Sequence, residues 1–216
     1  MTAGRRRRGT LPNAELPEFT RAEQIMSMAA TQRRRWTELE VRGLIAQAPH
    51  PAPRFELVDG ELLVTPAPGG LHQRLVLELA VILRAFVRGY GVGELRLSPG
   101  DVRLSAELVV QPDLFVIPLD NGRRPPASAP VTHLLLAIEV LSPDSARFDR
   151  VLKRRAYQAA GVPEYWIVDS DAQTIERWRP ADDRAEMLDQ MLTWRPNDRL
   201  ELRLDVAALF SDVADD

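Results

Sequence analysis

The segment Leu134-Leu-Leu-Ala-Ile-Glu-Val-Leu141 constrains the fold more than any other part of this 216-residue chain. It is short and almost continuously apolar, the pattern of a strand covered on both faces rather than one alternating between core and water. Such a strand belongs inside a sheet that carries further layers. Its one charged residue, Glu139, is costly to bury as an ion unless a cation or hydrogen-bond donors compensate it. Glu139 therefore asks for a partner.

The sequence after it offers one. Ser142-Pro143 reads as an N-cap followed by the proline favoured at the first helical position, and Gly161 with Pro163 closes that helix. Asp149, Lys153 and Tyr157 are four apart on it and share one face. Of the 28 basic residues, 27 are arginine and only Lys153 is lysine, so this position selects a compact, rotatable ammonium whose pKa can shift. Upstream, Gln111-Pro112-Asp113 heads another apolar run and puts a second carboxylate on a strand neighbouring that of Glu139.

The rest of the chain supplies a sheet and its cover. Thr37 with Glu40 has capping-box spacing and starts a short helix to about Gln47, ended by Pro49, Pro51 and Pro53. Phe55–Gly60 and Glu61–Thr65 read as a β-hairpin turning at Asp59-Gly60. Apolar residues recurring at three and four from Leu71 to Tyr90 predict a long amphipathic helix stopped by Gly91 and Gly93. Strands are expected at Glu94–Ser98, Asp101–Ser105 and Leu108–Ile117, and a surface loop from Pro118 to Pro130. Glu164–Asp169 and Thr174–Trp178 read as a second hairpin, with a further strand pair around Met187–Trp194 and Arg199–Leu204. The expectation is an α/β or α+β fold: a central mixed sheet flanked by helices, with an N-terminal β-hairpin.

Composition bounds the function. The chain has no cysteine, which excludes disulfides and thiolate zinc sites and fits a reducing cytoplasm. His50, His72 and His133 show no metal-ligand spacing. A net charge of -3 argues against coating nucleic acid by charge alone. The longest apolar stretch, Leu75–Val87, is too short and too interrupted to span a bilayer. Arg5–Arg8 lacks a following apolar region, so residues 1–35 are expected to be a tail, with Met26 and Met28 as alternative starts; 36–210 is the expected domain and 211–216 a C-terminal tail.

Two carboxylates on neighbouring strands and a lysine one helix on form a unit suited to phosphodiester cleavage. Asp113 and Glu139 would hold Mg²⁺ or Mn²⁺, an oxygen-preferring ion that takes only one or two protein carboxylates and keeps several waters. Lys153 would orient a water or meet developing negative charge. Each residue also has an ordinary reading: Asp113 as a strand-end cap, Glu139 as a structural ion-pair partner of an arginine, Lys153 paired only with Asp149, His72 as a polar cap or core residue, Glu56 and Glu61 as a solvent face, and Tyr165 and Trp166 as core aromatics.

Together, Phe55-Glu-Leu-Val-Asp-Gly-Glu61, His72-Gln73, Pro112-Asp113, Glu139-Val-Leu-Ser-Pro143, Asp149, Lys153, Tyr157 and Gly161-Val-Pro-Glu-Tyr-Trp166 resemble the Uma-type endonuclease family. The resemblance spans roughly Trp36 to Phe210. It implies the restriction-endonuclease-like fold of the PD-(D/E)XK nuclease superfamily, with Asp113 and Glu139 as metal-binding acids. Where that superfamily usually has a lysine two residues after the second acid, this chain has Leu141; the resemblance implies that Lys153 on the next helix takes its place. It also implies that Glu56 or Glu61 approaches the metal. In such a site Asp149 would orient Lys153, and His72 and Tyr157 are further supporting candidates. The expected function is a Mg²⁺-dependent endonuclease acting on DNA, as a cytoplasmic homodimer. The alternatives are a catalytically silent binding or regulatory protein of the same fold, or a nuclease acting on RNA.

Overall fold

The computed structural model of the chain describes residues 34–48 and 52–214. The Arg5–Arg8 run, Met26, Met28, His50 and all of the expected N-terminal tail except Arg34 and Arg35 lie outside them. Helix α1, Glu38–Gln47, starts with the anticipated capping box: the Thr37 side chain accepts from the Glu40 amide while the Glu40 carboxylate accepts from the Thr37 amide at 2.9 Å. Strands β1 (Arg54–Val58) and β2 (Glu61–Thr65) form the hairpin. Asp59 and Gly60 at its turn both have positive φ, 50° and 80°, as a type I′ turn requires.

Helix α2, Gly70–Gly89, buries Leu75, Leu79 and Leu83 completely. Each such leucine contributes about 2 kcal/mol of burial. Next come β3 (Gly93–Leu97), β4 (Val102–Ser105), β5 (Leu108–Val110), β6 (Leu114–Pro118) and β7 (Leu136–Val140). A π-helical stretch, Phe148–Lys153, runs into α3 (Arg154–Ala159). The chain finishes with β8 (Tyr165–Asp169), β9 (Thr174–Trp178), β10 (Glu186–Leu188), β11 (Met191–Asn197), β12 (Leu200–Asp205) and α4 (Val206–Ala214).

The strands form a six-stranded sheet in the order β10-β9-β8-β7-β6-β3, a four-stranded sheet in the order β2-β1-β5-β4, and the β11–β12 ladder. Among the described residues β7 and β8 are the one parallel pair of named strands, and the π-helical stretch with α3 is their crossover. As expected, β7 is interior and buried throughout. Its Leu136, Ile138 and Val140 join α2 and α4 in one core, while Ala137 joins Tyr157, Tyr165 and Ile167 in the other. Period-two alternation therefore sends Glu139 to the same side as Ala137, towards α3.

Three expectations change. The run Leu108–Ile117 is two strands in two different sheets, because Pro112 lacks the N–H that a continuous ladder needs. Gln111-Pro112-Asp113 is thus the crossing between the sheets. The C-terminal strand pair is three strands: β10 extends the large sheet through β9, and only β11 and β12 pair with each other. Residues 211–214 belong to α4, whose Val213 packs in the core, rather than to a tail. Among the described residues no helix is long and apolar enough to cross a membrane.

Candidate active site

Lys153 stands at the centre of a buried ionic cluster, 2% exposed. Its Nζ lies 2.8 Å from Glu56 Oε2, 3.0 Å from Glu139 Oε1 and 3.3 Å from Asp149 Oδ1. The Tyr157 hydroxyl donates to the same Glu139 oxygen at 3.4 Å. Three elements converge: β1 from the small sheet, β7 from the large one, and the crossover helix. The π-helical turn places Asp149 and Lys153 inward together, and π-turns of this kind concentrate at functional sites. On the outer side Arg150 donates to Asp169 and Glu176, which ties the helix to β8 and β9. Inside, the Tyr165 hydroxyl donates to the Asp149 carbonyl at 3.2 Å.

Asp113 lies beside this cluster, at the sheet crossing. Its Oδ1 accepts from Arg54 Nη1 at 2.7 Å; its Oδ2 bonds His72 Nε2 at 2.9 Å and accepts from the Val140 amide at 2.8 Å. That last bond ties Asp113 to the residue next to Glu139. A carboxylate can only accept, so His72 carries its proton on Nε2. Glu56 is anchored from the crossing as well: the Gln111 amide donates to its Oε1 at 2.7 Å. Arg54 Nη1 reaches the Gln111 carbonyl at 3.1 Å and Ser98 Oγ at 3.3 Å.

The electrostatics follow from burial and count. Burial raises the Asp113 pKa, but bonding to His72, the Arg54 charge and the Val140 amide outweigh it and bring it from 3.8 to about 2. Glu139 goes the other way. Burial pushes its pKa well above the ordinary value, only partly offset by Lys153 and reinforced by Asp149, Asp113 and Glu56. Asp149 is raised for the same first reason, against the pull of Lys153 and Ser145. Burial disfavours the Lys153 ammonium, yet Glu139, Glu56 and Asp149 overcome this and hold its pKa well above the ordinary value. Lys153 is therefore a locked cation. Its shifted pKa strengthens the charge instead of making it a neutral base.

Four buried carboxylates, Glu56, Asp113, Glu139 and Asp149, face two fixed cations, Arg54 and Lys153; fully ionised they would carry two negative charges in excess, and the raised pKa values of Glu139 and Asp149 express that excess. A divalent cation would balance it, and the donors are the hard oxygens that Mg²⁺ and Mn²⁺ take. Among the described residues no three His, Cys, Asp or Glu side chains converge as a ready metal cage. The donor set still fits an ion that needs one or two carboxylates and keeps its waters.

Glu56, Asp113, Glu139, Asp149, Lys153, Tyr157 and His72 come together; Glu61 does not, since it is exposed at the start of β2 opposite Val58. The solvent-face reading holds for Glu61 and not for Glu56, which is 0% exposed. Arg54 was missed. Its signal was present: it sits two residues before Glu56 on one strand, and so on the same face. The backbone of Gln111 leaves no such signal.

Comparisons with known proteins agree with this architecture. A solved structure described as "a putative nuclease belonging to DUF820" from Anabaena variabilis superposes with a TM-score of 0.64 at 22% identity, covering 78% of this chain and 96% of that one. At that identity the likeness establishes the fold, which is restriction-endonuclease-like. An uncharacterized protein of Synechocystis sp., sll1609, is 26% identical over 143 residues, 64% of this chain and 79% of the relative. The family model described as "Putative restriction endonuclease" matches residues 43–211, most of the chain, and the protein therefore belongs to the Uma2 family.

Proposed function

We propose that this protein is an endonuclease that hydrolyses phosphodiester bonds of DNA with Mg²⁺ or Mn²⁺. The observation that carries the reading is the buried cluster around Lys153, with two more carboxylates than its fixed cations can balance. A purely structural ion-pair network gains nothing from that excess, since unpaired buried charge is destabilising. Asp113 and Glu139 would hold the ion. Bound there, it would lower the pKa of a water and offset charge on the phosphate.

The protein's own groups divide the remaining work. Arg54, His72 and the Val140 amide keep Asp113 ionised and fixed. Glu56 and Asp149 hold the Lys153 ammonium from two sides, so that it presents a preorganised positive charge to the attacking water or the phosphate oxygens. Tyr157 fixes the Glu139 oxygen that Lys153 also contacts. The acting domain in this reading is residues 36–210, in the cytoplasm. A two-fold homodimer would present one such site to each strand of a duplex.

The test is cleavage of supercoiled plasmid, and in parallel of a structured RNA, by wild type and Glu139→Gln with Mg²⁺ or Mn²⁺. Metal-dependent nicking of the plasmid that vanishes in the variant is the expected result. Equal cleavage by both proteins would overturn the site, and cleavage of RNA alone would overturn the substrate. Binding without cleavage would favour the silent regulatory role.

A further inference from the structure

A recess of about 460 Å³ opens beside Asp113. Its walls are Pro66, Pro68, Val76, Leu77, Leu97 and Pro99, and its polar groups are Arg54, His72, Gln73, Ser98 and Asp113. The volume and the mix of apolar walls with a few polar groups are those of a small-ligand site. Two further facts narrow the ligand.

First, the recess offers no unpaired charge. Arg54 and Asp113, its charged members, are paired at 2.7 Å, and His72 is spent on the other Asp113 oxygen. A phosphate backbone would find no free cation among these side chains, although nucleic-acid backbones are held by Lys and Arg. Second, the recess adjoins Asp113, one of the acids assigned to the scissile site. In that reading, the part of a nucleic acid that entered it would lie within a bond or two of the nucleotide being cut. The part of a nucleic acid that is uncharged, flat, apolar on its faces and polar at its edge is the base.

We propose that this recess receives a nucleobase swung out of its stack next to the scissile phosphate, so that the preferred DNA is single-stranded or locally unpaired. The proposal rests on the nuclease reading above and adds the state of the substrate to it. Proline and aliphatic faces would cover the base as apolar side chains do in enzymes that extrude a nucleotide, and Gln73, an exposed lining residue, would offer its amide to the base edge. Unpairing costs least where the base is already single-stranded, which is the origin of the preference.

The test uses the whole protein without divalent metal and short oligodeoxynucleotides in which 2-aminopurine replaces one base at successive positions. This analogue is dim when stacked and bright when extruded, and among the lining residues there is no Phe, Tyr or Trp to quench it. Anisotropy of an end label reports total binding separately. The expected result is a several-fold rise at one position, tighter binding of single strand than duplex, and loss of both in Ala67→Leu and Val76→Met, which fill the recess without adding a quencher. Single-strand affinity should fall by about tenfold, the loss of one buried base. Ala67 is exposed on the loop before α2, so its variant remains informative if Val76→Met fails to fold. Binding by anisotropy with no bright position, or brightness unchanged in a folded filled variant, overturns the recess while leaving the nuclease reading intact. No binding of any DNA, either without metal or with Ca²⁺ added to neutralise the acidic site, overturns both.

Discussion

Replacing Lys153 with methionine tests the ionic cluster most severely. The substitution keeps the length of the side chain and removes the charge that Glu56, Glu139 and Asp149 share. Removing one partner of a buried ion pair costs ~3–5 kcal/mol. That is a large part of the ~5–15 kcal/mol that holds a domain folded. For a domain of this size it corresponds to a fall in melting temperature of roughly 10 °C. The deficit should also depend on pH. Glu139 already has a folded-state pKa above its ordinary 4.5, so its contribution to stability is full below that value and is lost as pH rises through the folded pKa. Without the ammonium the folded pKa rises further, so the loss is larger at pH 8 than at pH 5. Urea unfolding of wild type and variant at the two pH values measures both effects. Adding Glu139→Gln to Lys153→Met should recover part of the stability, since one uncompensated charge is gone. A variant as stable as wild type at pH 8, or a deficit that does not shrink towards pH 5, would refute the cluster as described.

Three further outcomes are expected. Asp113→Asn should cost about 2 kcal/mol at neutral pH, the equivalent of a pKa lowered from 3.8 to about 2. That stability is present above 3.8 and lost as pH falls through about 2, so acid unfolding curves of variant and wild type should converge there. Glu139→Gln alone should leave the metal-free protein at least as stable as wild type near pH 7, because burial already favours the uncharged form of this side chain, which Gln imitates; calorimetric melting checks this, and a clear loss would show that the carboxylate is structural. Gly93→Ala should destabilise strongly, by about 2 kcal/mol or more in urea, because a Cβ there would stand 2.2 Å from the Ile117 carbonyl oxygen across the β3–β6 ladder.

Much of this site is legible in the sequence because burying an ion is expensive. A lone glutamate in an apolar strand and a lone lysine among arginines each point to an unusual environment, and the helix after β7 joins them. The Thr37 capping box and the Asp59-Gly60 turn are legible for a different reason: their chemistry is local. What pairs with what across the sheets is not local. Nothing near Leu108 tells the chain to leave one sheet for another, except that Pro112 cannot continue a ladder. Glu56 and Glu61 have the same residue type on neighbouring strands, and only the orientation of the hairpin separates a 0%-exposed ligand of Lys153 from an exposed side chain. The π-helical turn is equally hidden, because spacing by four reads as an ordinary α-helical face and nothing in Phe148–Lys153 marks an extra residue per turn.

The central claim is that the excess buried charge is a site for a divalent ion. Titrating Mn²⁺ into wild type, Asp113→Asn and Glu139→Gln at pH 7.5, with free ion read by electron paramagnetic resonance, tests it directly. The account predicts saturable binding by wild type and a loss of at least tenfold in affinity in each variant. Equal binding by all three proteins, or none by folded wild type, would contradict it.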